Sequence, residues 1–232
     1  MAMNHWQVII TGRDEAGAVV ARFVLPHGAD PAAELAERGW RVLGGQEVLQ
    51  EEQTLTVVLI VAPTPPTPAS ELRSVPVEDG LTRAEIEAAL PYQRVAAYGF
   101  VETERGLLLT ELSERTWTPG QWTLPGGGID PGESALAALR REVWEETDQQ
   151  IEEERFLGVL TSHWIGRSPG GRIEDFHAVR LYFRCRCPAP TAAVVHDVDG
   201  STASAAWIPR EDLAATPLTR SLTPALERWL DG

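Results

Sequence analysis

The chain of 232 residues contains no lysine; all 20 of its basic residues are arginine. That excludes a Schiff-base lysine and the phosphate-binding lysine of a P-loop. Positive charge is scarce altogether, with 20 basic against 34 acidic residues and a formal net charge of −14. A duplex-binding surface needs a basic patch to displace counterions, so no nucleic-acid partner is expected. Cysteine is limited to Cys185 and Cys187 in "LYFRCRCPAP". On a strand both point to one face and do not readily bridge each other, so they read as reduced strand residues rather than a metal pair. Also missing are a run of 18 apolar residues and a charged-then-apolar leader in "MAMNHWQVII". Neither a membrane span nor a signal peptide is expected, and the implied location is cytoplasmic.

What is present divides at "APTPPTPAS", residues 62–70, whose four prolines predict an extended, semi-rigid linker. The expected organisation is a small domain over residues 1–62, a linker over 63–80 and a larger domain over 81–232. In the first part "WQVIITG" and "AVVARFVLP" read as strands. "DPAAELAERGW" reads as a helix capped by Asp30, opened by Pro31 and stopped by Gly39. "RVLGGQEVLQ" and "TLTVVLIVA" complete a ββαββ unit of α+β type. No chemical motif stands out in it, and His5 and His27 lack partners at metal spacing. Beyond the linker, "LTRAEIEAAL" is a short helix with Thr82 and Glu85 placed as a capping box. Strands and helices then mix, and two helices, around Arg210–Ala214 and Thr219–Leu230, are expected to close the chain.

The stretch "LPGGGIDPGESALAALRREVWEETDQQ", Leu124 to Gln150, carries the chemistry. A glycine turn leads into a helix that Asp130, Glu133 or Ser134 could cap. Leu136, Leu139 and Val143 fall on one stripe, read as core-facing. Glu142 and Glu146 lie on its flank and Glu145 one step further round. Residues four apart on a helix are about 5–6 Å from each other. Two like charges at that range repel by roughly 3 kcal/mol at an effective dielectric of about 20. An isolated "EVWEE" would read as a solvated acidic face. The adjoining Gly126, Gly127 and Gly128 change that reading, because they let the backbone approach a ligand. A backbone carbonyl with several carboxylates makes an all-oxygen, anionic site suited to Mg²⁺ or Mn²⁺. Arg141 can orient a carboxylate through a forked pair of hydrogen bonds.

The segment "GGIDPGESALAALRREVWEETDQ" resembles the signature of the Nudix hydrolases, G-x5-E-x7-R-E-U-x-E-E-x-G-U with U aliphatic. Gly127, Glu133, Arg141, Glu142, Val143, Glu145 and Glu146 fall at the required spacing. Asp148 stands where the family has Gly and Gln149 where it has an aliphatic residue, a departure that bears on the helix exit. The resemblance runs from about Gln93 to the C-terminus. It implies an α/β/α sandwich with a mixed sheet, here preceded by the small α+β unit.

The same resemblance implies hydrolysis of a pyrophosphate linkage in a nucleoside diphosphate joined to another moiety. The implied metal ligands are Glu142, Glu146 and the Gly126 carbonyl, with Glu145 binding directly or through water. Glu133, paired with Arg141, braces the loop. The general base stays open among Glu145, Glu174, Asp175, Asp197 and Asp199. Gly127, Gly128, His163, Asp175 and His177 are candidate contacts to a small nucleotide-type substrate, and Trp117, Trp122 and Trp164 are candidates to stack on a base. "GGG" with "SHW…FH" is most similar to ADP-ribose pyrophosphatase-like relatives. A MutT-like enzyme acting on oxidised nucleoside triphosphates is the alternative. A Nudix-type ligand sensor is a third reading, against which the full set of carboxylates counts. The N-terminal unit reads most simply as a dimerisation or lid module, which makes a homodimer the candidate assembly.

Overall fold

The structure, a computed structural model, describes residues 6–67, 75–168, 170–196 and 200–230; His5, Asp197, Asp199 and the end of the proline-rich stretch lie outside them. Two compact units emerge, residues 1–95 with 156–181, and residues 96–155 with 182–232.

The first unit opens with β1 (Gln7–Arg13), β2 (Val19–Val24), α1 (Pro31–Glu37), β3 (Trp40–Glu51) and β4 (Thr54–Pro63), the expected ββαββ order. The four strands form one mixed sheet in the order β2-β1-β4-β3, with β1 parallel to β4 and the other pairs antiparallel. Alternation drives it, since Val8 and Ile10 on β1 and Leu55, Val57, Leu59 and Val61 on β4 are buried. α1 adds Leu35, also fully buried. Its start is set by Asp30, which accepts the Ala33 N–H at 2.9 Å, and by the Pro31 that follows.

The second sheet contains β5 (Leu90–Thr103), β6 (Gly106–Leu112), β7 (Trp122–Thr123), β8 (Gly126–Gly128), β9 (Glu152–Arg167), β10 (Ile173–Arg186) and β11 (Thr202–Ile208). Its order is β11-β6-β5-β10-β9, with β7 on β6 and β8 on β5. The long strands β5, β9 and β10 each contribute residues to both units. α2 (Arg83–Glu87) carries the capping box expected at Thr82 and Glu85. α3 (Ala135–Thr147) and α4 (Thr223–Trp229) complete an α/β/α sandwich. Trp229 of α4 packs edge-on against Phe100 and tilted against Tyr182.

Three details differ from expectation. Arg210–Ala215 is a 3-10 turn rather than an α-helix, and the last helix begins only at Thr223. The segment before it is held extended instead, since Leu218 bridges to Trp122 and the Thr219 N–H donates to the Trp122 carbonyl at 2.9 Å, while Pro224 is accommodated in the first turn of the helix. The glycine triplet is not a turn: Gly126, Gly127 and Gly128 form β8, paired antiparallel with Tyr98, Ala97 and Ala96. Among the described residues, no helix is long and apolar enough to cross a membrane.

Candidate active site

The acidic helix α3 is capped by Ser134, whose hydroxyl accepts the Ala137 N–H at 3.2 Å, which settles the choice among Asp130, Glu133 and Ser134. Its buried side is formed by Ala135, Ala138, Leu139, Val143, Glu146 and Thr147. Leu136, expected on that stripe, is 36% exposed, whereas Glu146 is only 5% exposed. Helical geometry explains both. Seven residues at about 100° each place Glu146 about 20° from Leu139, nearer the centre of the stripe than Leu136 is.

A buried carboxylate must be hydrogen-bonded to persist there. Glu146 accepts the backbone N–H of Gly126 at 2.9 Å and the hydroxyl of Thr202, on β11, at 2.5 Å. The glycine strand therefore touches the helix through a donor. Gly127 is required for the same contact: a Cβ there would lie 2.5 Å from Oε1 of Glu142. Gly126 and Gly127 thus bring β8 into contact with two carboxylates of α3, those of Glu146 and Glu142.

Arg141 organises the remainder. Its Nε and Nη2 donate to the two oxygens of Glu133 at 3.0 and 2.9 Å, a forked pair. Nη1 donates to Glu142 at 2.9 Å and to Glu145 at 3.1 Å, while Nη2 also reaches the Gly128 carbonyl at 3.2 Å. The guanidinium holds the Glu133 carboxyl below the usual carboxylate range. Its own pKa is driven upward, first by the hydrogen bond to Glu133. One positive charge thus donates to three carboxylates and lies 3.9 Å from a fourth, that of Asp130, with Glu146 a helical turn from Glu142. This excess of anionic oxygen is the donor set a hard divalent cation requires.

The helix exit shows how the chain tolerates its two departures from the signature. Asp148 adopts the left-handed conformation, φ 59° and ψ 19°, and closes the helix with its N–H on the Trp144 carbonyl at 2.8 Å. Aspartate enters that region more readily than most residues. Its carboxylate meets His196 at 2.8 Å, and His196 stacks on Trp144. Gln149 is 1% exposed but saturated: Nε2 donates to the Thr147 carbonyl at 2.9 Å and to the Thr191 hydroxyl at 3.0 Å, and Oε1 accepts the Thr191 N–H at 3.0 Å.

A model of the NUDIX domain family matches residues 92–229, more than half of the chain. The chain belongs to the NUDIX family. It is a Nudix pyrophosphohydrolase, acting on phosphoric anhydride bonds. Among its relatives is the nucleoside triphosphatase NudI of Klebsiella pneumoniae (strain 342), 31% identical over 145 residues that cover 56% of this chain and 95% of that protein. Solved structures similar to this Nudix chain include a MutT NUDIX hydrolase from Burkholderia pseudomallei, at 26% identity and TM-score 0.46, covering 59% of this chain and 98% of that one. The NUDIX domain of Shewanella oneidensis NrtR, complexed with ADP ribose, is 21% identical with TM-score 0.47, covering 66% of this chain and 93% of that one.

All the signature residues of the Nudix box thus gather on α3, β8 and the loop between them. The remaining candidates have surroundings of their own. His163, Asp175 and His177 belong to the first unit, together with His27. His177 has no exposed surface, and its ring nitrogens face the Gln93 side-chain oxygen at 3.0 Å and the Ala29 carbonyl at 3.1 Å. Burial, then the neighbouring His27, lowers its pKa to about 4. Glu174 is buried and held by Arg172. Trp164 packs on Phe176 at 4.3 Å, whereas Trp117 is half exposed. Sequence reading missed Thr202 and the partners of His27. Nothing in spacing could have found either, because the contacts join segments far apart in the chain.

Proposed function

We propose that the enzyme hydrolyses nucleoside triphosphates, using a divalent cation, Mg²⁺ or Mn²⁺, held by Glu142, Glu146 and the Gly126 carbonyl, with Glu145 bound directly or through water. The observation that carries the proposal is the fixed carboxylate of Glu146, buried and aimed by the Gly126 N–H and Thr202. Such a cation neutralises phosphate charge and lowers the pKa of the attacking water. The chain's own residues do the positioning. Arg141 sets the rotamers of Glu142 and Glu145, and Glu133 fixes Arg141 in turn. Gly127, lacking a Cβ, lets the Glu142 carboxylate lie against β8. Among the described candidates for general base, Glu145 is the one on the carboxylate-bearing helix, with its side chain 35% exposed, and we assign it that role. Glu133 and Arg141 are positioning residues.

A nucleoside triphosphate is preferred to the ADP-ribose-like substrate because the NudI relative aligns over 95% of its length. Of the features that favoured ADP-ribose, "GGG" with "SHW…FH", the two histidines are engaged by Asp175 and by the Ala29 carbonyl. Incubation of the purified protein and Mg²⁺ with the nucleoside triphosphates, 8-oxo-dGTP, ADP-ribose, NADH and nucleotide sugars tests the assignment. Release of a nucleoside monophosphate and pyrophosphate from a triphosphate supports it; turnover of ADP-ribose alone reverses the preference. A cytoplasmic location belongs to the same proposal, supported by two buried cysteines that carry no disulfide. So does a separate N-terminal module over residues 1–62 acting in dimerisation or as a lid. A truncation starting at Ser70 that remains dimeric and fully active would overturn that role.

A further inference from the structure

We propose that His27, His163 and Asp175 form a second cation site, built for a nitrogen-preferring divalent metal such as Zn²⁺, which ties the loop between β2 and α1 to strands β9 and β10. The residues come from three separate places in the chain. His27 lies on that loop, His163 within β9 and Asp175 near the start of β10, the strand neighbouring β9. Their ligand atoms, one from each residue, all lie within 4.8 Å of one another. Nε2 of His27 hydrogen-bonds the Asp175 backbone carbonyl at 3.1 Å and lies 3.4 Å from Oδ1 of Asp175, and Nε2 of His163 hydrogen-bonds that same Oδ1. In a tetrahedral zinc site with bonds of about 2.0–2.1 Å, ligand atoms stand about 3.3 Å apart. The His27–Asp175 separation already matches this, and a bound ion would replace the direct hydrogen bond between His163 and Asp175.

The surroundings hold the three groups in place. Gly28 has φ 73°, and a Cβ there would collide with the His163 imidazole, so the loop passes directly over that ring. Thr161, two residues before His163, donates to Oδ2 of Asp30 at 3.2 Å and so pins the far side of the same loop. His177 lies edge-on to His27 and His163, with ring centroids 5.4 and 6.2 Å away. All three side chains are part-exposed, at 30%, 20% and 24%, which leaves a face for a fourth ligand such as water. Two imidazoles and one carboxylate with an open position suit zinc and its transition-metal neighbours, whereas Mg²⁺ prefers oxygen alone. The two sites of this chain would therefore sort different cations.

The test uses the full chain, stripped of metal by a chelator and then supplied with excess Mg²⁺ to fill the carboxylate site. Co²⁺ is titrated in and followed by its visible absorption, and Zn²⁺ by calorimetry. One equivalent bound with the spectrum of nitrogen-ligated tetrahedral Co²⁺ is expected. Glu146→Gln should leave it intact, whereas His27→Gln or His163→Gln should weaken it by about 100-fold or more, since even outer-shell changes cost 10–100-fold. Absence of a nitrogen-ligated species, or unchanged binding in both histidine variants, overturns the proposal and leaves Asp175 as a hydrogen-bond acceptor for two histidines. Imidazole ¹⁵N shifts of His27 and His163 on adding Zn²⁺ to the unmutated protein decide the matter should either variant fail to fold.

Discussion

Replacing Arg141 by lysine keeps the charge and removes the fork, so it separates positioning from simple neutralisation. The guanidinium makes two bonds to Glu133, one each to Glu142 and Glu145, and one to the Gly128 carbonyl. An ammonium has three donors on one point and cannot satisfy Glu133 in two places while reaching Glu142 and Glu145. Hydrogen bonds to charged groups contribute about 1.5–3 kcal/mol each. Arg141 is 30% exposed, so water screens part of that. Two bonds lost at the discounted end give about 2 kcal/mol, or about 4–8 °C in Tm for a chain of this size. The functional effect should be the larger one. Glu142 and Glu145 lose the donor that sets their direction, and such supporting contacts typically carry 10–100-fold in metal affinity or activity. Hydrolysis rates measured across a Mg²⁺ titration should show the half-saturating concentration rising and kcat falling by that order. Arg141→Lys with an unchanged Mg²⁺ requirement and rate would refute the positioning role, because charge alone would then suffice.

Three further outcomes follow from the helix exit and the thiols. Asp148→Val places a β-branched residue at φ 59° and should cost about 1–2 kcal/mol in chemical denaturation; Asp148→Gly should stay close to wild type, and an equal loss in both would point to the His196 contact instead. Gln149→Leu restores the family's aliphatic residue but removes the bonds to the Thr147 carbonyl and to Thr191; Thr191 is exposed and finds water instead, so a loss of about 0.5–1.5 kcal/mol is expected by the same measurement. A gain would mean that the segment at Thr191 rearranges. Burial pushes the Cys185 thiol up to about 12 and raises that of Cys187. Since the thiolate is the reactive species, a thiol reagent at neutral pH should label neither until the protein unfolds; rapid native labelling would contradict their placement.

The order of elements in the N-terminal unit was legible because strand alternation and a proline-led helix are local signals, as at Val8, Ile10 and Pro31. The Nudix box was legible because its residues lie within one helix and the loop before it. What escaped depended on geometry between distant segments. The glycine triplet looks like a turn in isolation, yet Ala96–Tyr98 pair with it and extend it. Leu136 reads as core by type, but the helix faces inward about Leu139, which draws Glu146 into the interior. His27 has no partner nearby in sequence, and only the folded chain brings His163 and Asp175 to it. The substitution of Asp148 for glycine looked like a fault in the signature, whereas the backbone keeps the left-handed turn that glycine would have made.

The most direct measurement is the rate of phosphate-bond hydrolysis as a function of Mg²⁺ for the wild type and for Glu146→Gln. The substitution preserves shape and the acceptor for Gly126 while removing the charge. The account predicts wild-type turnover that depends on the cation and vanishes on chelation, and a fall of about 100-fold or more in the variant, since outer-shell changes alone cost up to that much. Wild-type turnover indifferent to chelation, or a Glu146→Gln enzyme as fast as its parent, would contradict it.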